Sequence, residues 1–220
     1  MNIEALAPVM RILKREYEKK QMPVVELIQA RTNDPFQILV ATILSARTLD
    51  QTTAAACRTL FRVVRTLDDL RRVPRARLER LIYPVGFYRT KARMLKRLPE
   101  VVAHLFGGVI PGTVEELVRL PGVGRKTANL VVAVAFNKPA ICVDVHVHRI
   151  SNRWGLIRTR TPLETEMVLR RRLPVKYWTV FNSYLVSFGQ SVCRPVRPQC
   201  NACPIYAYCA RMGVAQQKRH

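Results

Sequence analysis

Apolar residues along this chain recur three and four apart in segment after segment, while the strict apolar–polar alternation of a half-buried strand is almost absent. That pattern predicts an all-α protein. Several helix starts are marked by their chemistry. Asp34 followed by Pro35 supplies an N-cap and a proline at the first helical position, ahead of the apolar run Phe36 to Leu44. Thr113 with Glu116 and Thr161 with Glu164 carry the capping-box spacing, the second with Pro162 in the first turn. Val73-Pro74 marks another start. The segment Leu130 to Phe136 is rich in β-branched residues and invites a strand assignment. It follows a glycine-rich turn and has no pairing partner in sight, so it reads as a helix buried on all sides. Neither an internal repeat nor a low-complexity linker interrupts the chain.

Composition changes the picture by naming a partner class. The 220 residues are 49% hydrophobic, enough for a well-buried interior, yet 37 Lys and Arg face only 15 Asp and Glu, a formal net charge of +22. Residues 62 to 97 hold twelve of the basic residues against three acids, and Arg170-Arg171-Arg172 form a second knot. An excess of this size raises the free energy of the compact state unless a polyanion neutralises it, which favours nucleic acid. No run approaches the roughly 20 uninterrupted apolar residues of a membrane span. Met1-Asn2-Ile3-Glu4 lacks the basic-then-apolar layout of a secretory signal. A cytoplasmic protein with no membrane partner is therefore expected. In a reducing cytosol the six cysteines do not suggest disulfides. Cys57 and Cys142 stand alone among small apolar residues and read as buried hydrophobes, whereas the other four crowd into residues 193 to 209.

Three stretches carry candidate chemistry. In Leu120-Pro121-Gly122-Val123-Gly124-Arg125-Lys126-Thr127-Ala128, two glycines around one apolar residue permit a tight turn between helices. Successive N–H groups of Gly122, Val123, Gly124 and Arg125 can then face one phosphate, helped by the positive end of the second helix. This is the layout of a helix-hairpin-helix grip on a DNA backbone. Lys126 falls in the first turn of that second helix, where the dipole disfavours a cation. It is either one more phosphate-binding lysine or a nucleophilic amine whose proton is pushed off by the helix end and by Arg125. Farther on, Asp144 stands in the apolar setting Ile141-Cys142-Val143-Asp144-Val145-His146. It can cap the helix running through Ile150, and a carboxylate there can also stabilise a cationic sugar as its base departs. His146 and His148 point to different helix faces and are not read as a metal pair. The third stretch, Cys193-x6-Cys200-x2-Cys203-x5-Cys209, gathers four thiols that must wrap around something neutralising them. Zinc is one reading; a [4Fe-4S] cluster fits the compact single loop better, with Arg194 and Arg197 offered to phosphate from inside it.

Taken together, L-P-G-V-G-R-K-T-A at 120 to 128, V-D-V-H-V-H-R-I at 143 to 150 and the cysteine spacing at 193 to 209 resemble the endonuclease III family of DNA glycosylases. The likeness extends to D-P-F-x-I-L at 34 to 39, L-S-A at 44 to 46 and G-F-Y-x-x-K-A at 86 to 92. It implies a two-lobed helix-hairpin-helix DNA glycosylase fold with a [4Fe-4S] cluster loop: a six-helix barrel domain over 28–138, and an iron-sulfur domain from 1–27 plus 139–220. The partner implied is double-stranded DNA carrying damaged bases or AP sites, kinked, with the damaged nucleotide turned out, and the protein a monomer. By the same resemblance Lys126 attacks C1′ and forms a Schiff base, Asp144 assists base departure, and β-elimination nicks the strand. Arg47 stands where the family usually has Gln, Phe87 where many members have Leu as the stacking wedge, and Val145 where Thr is usual. Both Arg47 and Phe87 can fill the gap left by a flipped base, and His146 joins them among the DNA-binding residues. Lys126 argues against the adenine-glycosylase branch. Two other readings stay in view: a mismatch or deaminated-base glycosylase in which Arg47 reads an opposite guanine, and a non-catalytic iron-sulfur DNA-binding module.

Overall fold

A computed structural model describes residues 3–19, 28, 32 and 34–214, and among these there is helix, turn and irregular backbone but no strand. The chain divides into two compact units, one formed by Met22–Ala140 and the other by Met1–Gln21 with Ile141–His220. The domain junction expected at residue 27 falls outside the described residues. Among the described residues no helix is long and apolar enough to cross a membrane.

The unit Met22–Ala140 contains helices α2 (Pro35–Ser45), α3 (Asp50–Phe61), α4 (Leu67–Arg72), α5 (Arg75–Ile82), α6 (Tyr88–Phe106), α7 (Val114–Leu117) and α8 (Arg125–Ala135). Its centre is the packing of α2 on α8. Ile38 to Leu44 are all buried, and in α8 so are Ala128, Asn129 and Val131 to Ala135. The β-branched segment is therefore a helix; it stops at Ala135, and Leu130 keeps a partly exposed face. Helix α6 packs against α4 and α5, and its Ala92, Leu95, Leu98 and Val102 are buried. Each such leucine contributes about 1.5–3 kcal/mol by leaving water.

The other unit contains α1 (Leu6–Glu18), α9 (Val145–Arg153), α10 (Pro162–Arg172) and α11 (Trp178–Ser191), with α1 and α9 both packed on α11. In α1 the buried residues Leu6, Val9, Met10 and Leu13 fall on one stripe. Trp154 and Phe181 meet edge-to-face in this core, ring centres 6.3 Å apart.

Helix starts follow the sequence signals, with instructive differences. Asp34 accepts from Phe36 N at 2.9 Å. Thr113 and Thr161 accept from the N–H groups of Glu116 and Glu164. The Glu164 carboxylate reaches past the cap to Arg160 N, and that of Glu116 takes the Thr113 hydroxyl. A complete capping box forms at Thr66 and Asp69, where an aspartate does what the spacing rule assigns to glutamate or glutamine. At Val73-Pro74 the helix begins one residue later than expected, with Pro74 as its cap.

Candidate nucleic-acid interface and active site

Helices α7 and α8 are joined by a turn whose two apolar side chains, Leu120 and Val123, are buried. Anchoring those two turns the glycines outward. Gly122 has φ +80°, a conformation that side chains rarely adopt, and a Cβ there would stand 3.0 Å from Met94 Sδ. Gly124 is different. It is extended, caps α8 without any side-chain hydrogen bond, and a Cβ on it would meet nothing within 4 Å. The protein itself does not demand a glycine at that position; its effect is to leave the backbone at the start of α8 uncovered. Lys126 is the second residue of α8 and exposed, with Arg125 before it half-buried. The hairpin and the lysine thus occupy one helix end, as the sequence indicated.

Arg47 and Phe87, 40 residues apart in the chain, are brought together: the Arg47 guanidinium lies 5.7 Å from the Phe87 ring centre. Both are non-glycine residues in the left-handed region, at φ 54° and 57°. Such conformations cost on the order of 1–3 kcal/mol each and persist only when the surroundings over-determine them. Phe87 is 62% exposed; Leu49 at 78% and Tyr83 at 65%, neither of which stood out in the sequence, are also exposed.

In the other unit Asp144 is the N-cap of α9, its Oδ1 accepting from His146 N and Val147 N, both at 2.9 Å. Those two bonds fix the carboxylate at a helix N-terminus, where a negative charge is favoured. His146 Nδ1 lies 3.2 Å from Arg149 Nη2, which also donates to Cys193 O at 2.9 Å. A Cβ on Gly189 would collide with His146 Nδ1, so this glycine is what lets α11 approach the histidine. His148 Nδ1 faces Thr165 Oγ1 at 2.7 Å.

Residues 40–175 match the HhH-GPD superfamily of base excision DNA repair proteins. Endonuclease III of Thermotoga maritima is 45% identical over 179 residues, covering 81% of this chain and 84% of its own length. The chain belongs to the endonuclease III family. Endonuclease III of Bacillus subtilis is 40% identical and covers 85% of both chains. Among solved structures, a trapped endonuclease III–DNA covalent intermediate, an estranged-adenine complex, superposes with a TM-score of 0.83 at 33% identity. That match covers 96% of this chain and 97% of the other. A thermostable thymine-DNA glycosylase superposes at 0.80 with 25% identity, covering 93% and 94%. The fold is the helix-hairpin-helix fold of that family, and the chain is a base excision repair DNA glycosylase with AP lyase activity acting on DNA.

The loop that carries the four clustered cysteines is organised around Arg153, which the sequence did not single out. Its Nη1 donates to Arg194 O at 2.6 Å and lies 3.7 Å from Cys193 Sγ, and its Nη2 donates to Pro195 O at 2.7 Å. None of the four cysteines is in a disulfide, and they line one cavity with Trp154, Phe188 and Val192. Burial pushes the Cys203 thiol up to about 11, and repulsion from Cys209, Cys193 and Cys200 adds to it; burial raises Cys209 as well. Four thiols lining one cavity are a donor set that fits a cationic centre. Among the described residues, however, no three His, Cys, Asp or Glu side chains are gathered into a ready ligand set. Arg194 and Arg197 are exposed on the first loop, Arg197 at φ 49°. Cys57, by contrast, is simply buried, its thiol pushed up to about 12, and Cys142 is buried too.

Proposed function

We propose that this chain excises oxidised pyrimidines from duplex DNA and nicks the strand, using Lys126 as the nucleophile. The uncharged Lys126 amine attacks C1′ as the bond from C1′ to the base nitrogen breaks. Loss of the amine proton and opening of the sugar give an imine, and removal of a C2′ proton then expels the 3′ phosphate by β-elimination. Hydrolysis of the imine frees the lysine. Asp144 stabilises the positive charge that develops on the sugar while the base leaves. The Gly122 to Arg125 backbone grips a phosphate, with His146, Arg194 and Arg197 as further backbone contacts. Arg47 and Phe87 occupy the gap left by the flipped nucleotide.

What supports this reading is the position of Lys126, two residues beyond a glycine cap on which even a Cβ would meet nothing within 4 Å. An amine there can approach a sugar whose flanking phosphate is held by the same helix end. Cys193, Cys200, Cys203 and Cys209 would hold a [4Fe-4S] cluster, which when bound neutralises the four thiolates and fixes the loop that carries Arg194 and Arg197. The deciding experiment is a panel of lesion-bearing duplexes, with base release and nicking scored separately. Release of thymine glycol with matching nicking is expected. Release of uracil or thymine opposite guanine with thymine glycol left intact would overturn the substrate assignment and favour the mismatch reading. Iron measured in anaerobically purified protein is expected at cluster stoichiometry in a brown preparation; colourless protein holding zinc would refute the cluster.

A further inference from the structure

We infer that Lys91 is a positioning residue that clasps Arg47 and Phe87 into one inserting unit; this deepens the proposed function and rests on its reading of those two side chains. Among the described residues of its unit Lys91 is the most deeply buried charged side chain, only 6% exposed, and so is not placed to meet a phosphate. Its ammonium donates to Leu44 O at 2.8 Å, Ala46 O at 2.6 Å and Thr48 Oγ1 at 3.1 Å. Three acceptors satisfy the three N–H bonds of an ammonium, and two of them bracket Arg47. Its own backbone N–H donates to Phe87 O at 3.0 Å. The ammonium holds the turn at Arg47 directly, and the first backbone bond of α6 ties that same residue to the turn at Phe87. Thr48 adds a second tie, because its hydroxyl also accepts from Gly86 N at 3.2 Å. Gly86 permits that approach, since a Cβ there would stand 2.5 Å from Arg47 O.

The clasp is placed where the backbone needs it. Arg47 and Phe87 are both left-handed, a conformation that local sterics disfavour and that neighbouring contacts must impose. Burial draws the Lys91 ammonium down to about 8, which leaves it charged and fully equipped with donors at neutral pH. Lys96, farther along α6, supplies the contrast. Its Nζ donates to Leu70 O, Arg71 O and Val73 O at 3.1, 2.6 and 2.8 Å, closing the end of α4. That end carries no left-handed residue, and there the same chemistry merely satisfies a helix terminus.

The test is a mutant cycle on the full chain, read as single-turnover base excision from a lesion duplex, with thermal midpoints recorded for every variant. Lys91→Met is expected to slow excision by about tenfold or more in the wild-type background, but by less than about threefold once Arg47→Ala and Phe87→Ala are already present. Equal losses in both backgrounds would reduce Lys91 to a general stability role and overturn the inference, as would a wild-type rate for Lys91→Met. Should Lys91→Met fail to fold, Thr48→Val takes its place in the cycle and Thr48→Ser should restore the rate; a wild-type rate for Thr48→Val overturns the clasp. If the Arg47→Ala, Phe87→Ala double variant itself excises at the wild-type rate, the gap-filling reading is the part that has failed, and the inference falls with it.

Discussion

Two places in the unit Met22–Ala140 solve the same backbone problem by opposite means. In the turn 120–124 the left-handed position is taken by Gly122 and the helix cap by Gly124, so that no Cβ intervenes. In the turns at 47 and 87 the left-handed positions are held by an arginine and a phenylalanine, at roughly 1–2 kcal/mol each over a glycine. The difference follows from which atoms do the work. Where the backbone N–H groups are to meet a phosphate, a side chain is an obstruction; where the side chain is to fill a gap, the strain is retained and a buried ammonium holds the shape.

The largest break in this comparison comes from filling the hairpin. Gly122→Arg forces a side chain into a left-handed position against Met94, and duplex affinity measured by fluorescence anisotropy at fixed salt is expected to fall on the order of 100-fold. Wild-type affinity would contradict the backbone grip. A finer cut is Gly124→Asp. At φ −90° and ψ 173° an aspartate fits and is a better helix cap, so stability should rise by about 0.5–1 kcal/mol while affinity drops about tenfold or more. If stability and affinity rose together, Gly124 would have no part in binding. The smallest effects are expected at the other turns. Arg47→Gly and Phe87→Gly should each stabilise the fold by roughly 0.5–1 kcal/mol by relieving strain, as urea titration would record. Each should also slow excision about tenfold. Destabilisation by either glycine would mean that the left-handed turns are not strained.

Signals confined to a short window were legible in the sequence. The hairpin needs only Gly122, Val123 and Gly124 in register, the Asp144 cap needs only the next three residues, and the cysteine spacing is visible in one stretch. What escaped was either an unusual choice within a rule or a long-range bond. The Thr66 capping box was missed because its partner is Asp69 and not Glu or Gln. Lys91 lies inside a motif that the sequence displayed, yet its work is done across 43 to 47 residues on two carbonyls and a hydroxyl that exist as a cluster only after α2 ends and α6 begins. Arg153 likewise looks like one more surface cation until the chain brings residues 193 to 195 onto it. Acceptors on the main chain carry no residue signature, so a lysine or arginine that binds them cannot be told from one that awaits a phosphate.

The chemistry rests on Lys126 as the residue that bonds to the sugar. Incubation with AP-site duplex under borohydride should convert the wild-type chain into a stable protein–DNA adduct and leave Lys126→Ala unadducted, with its duplex affinity within about threefold of wild type. Equal adduct formation by both proteins would show that another amine does the work.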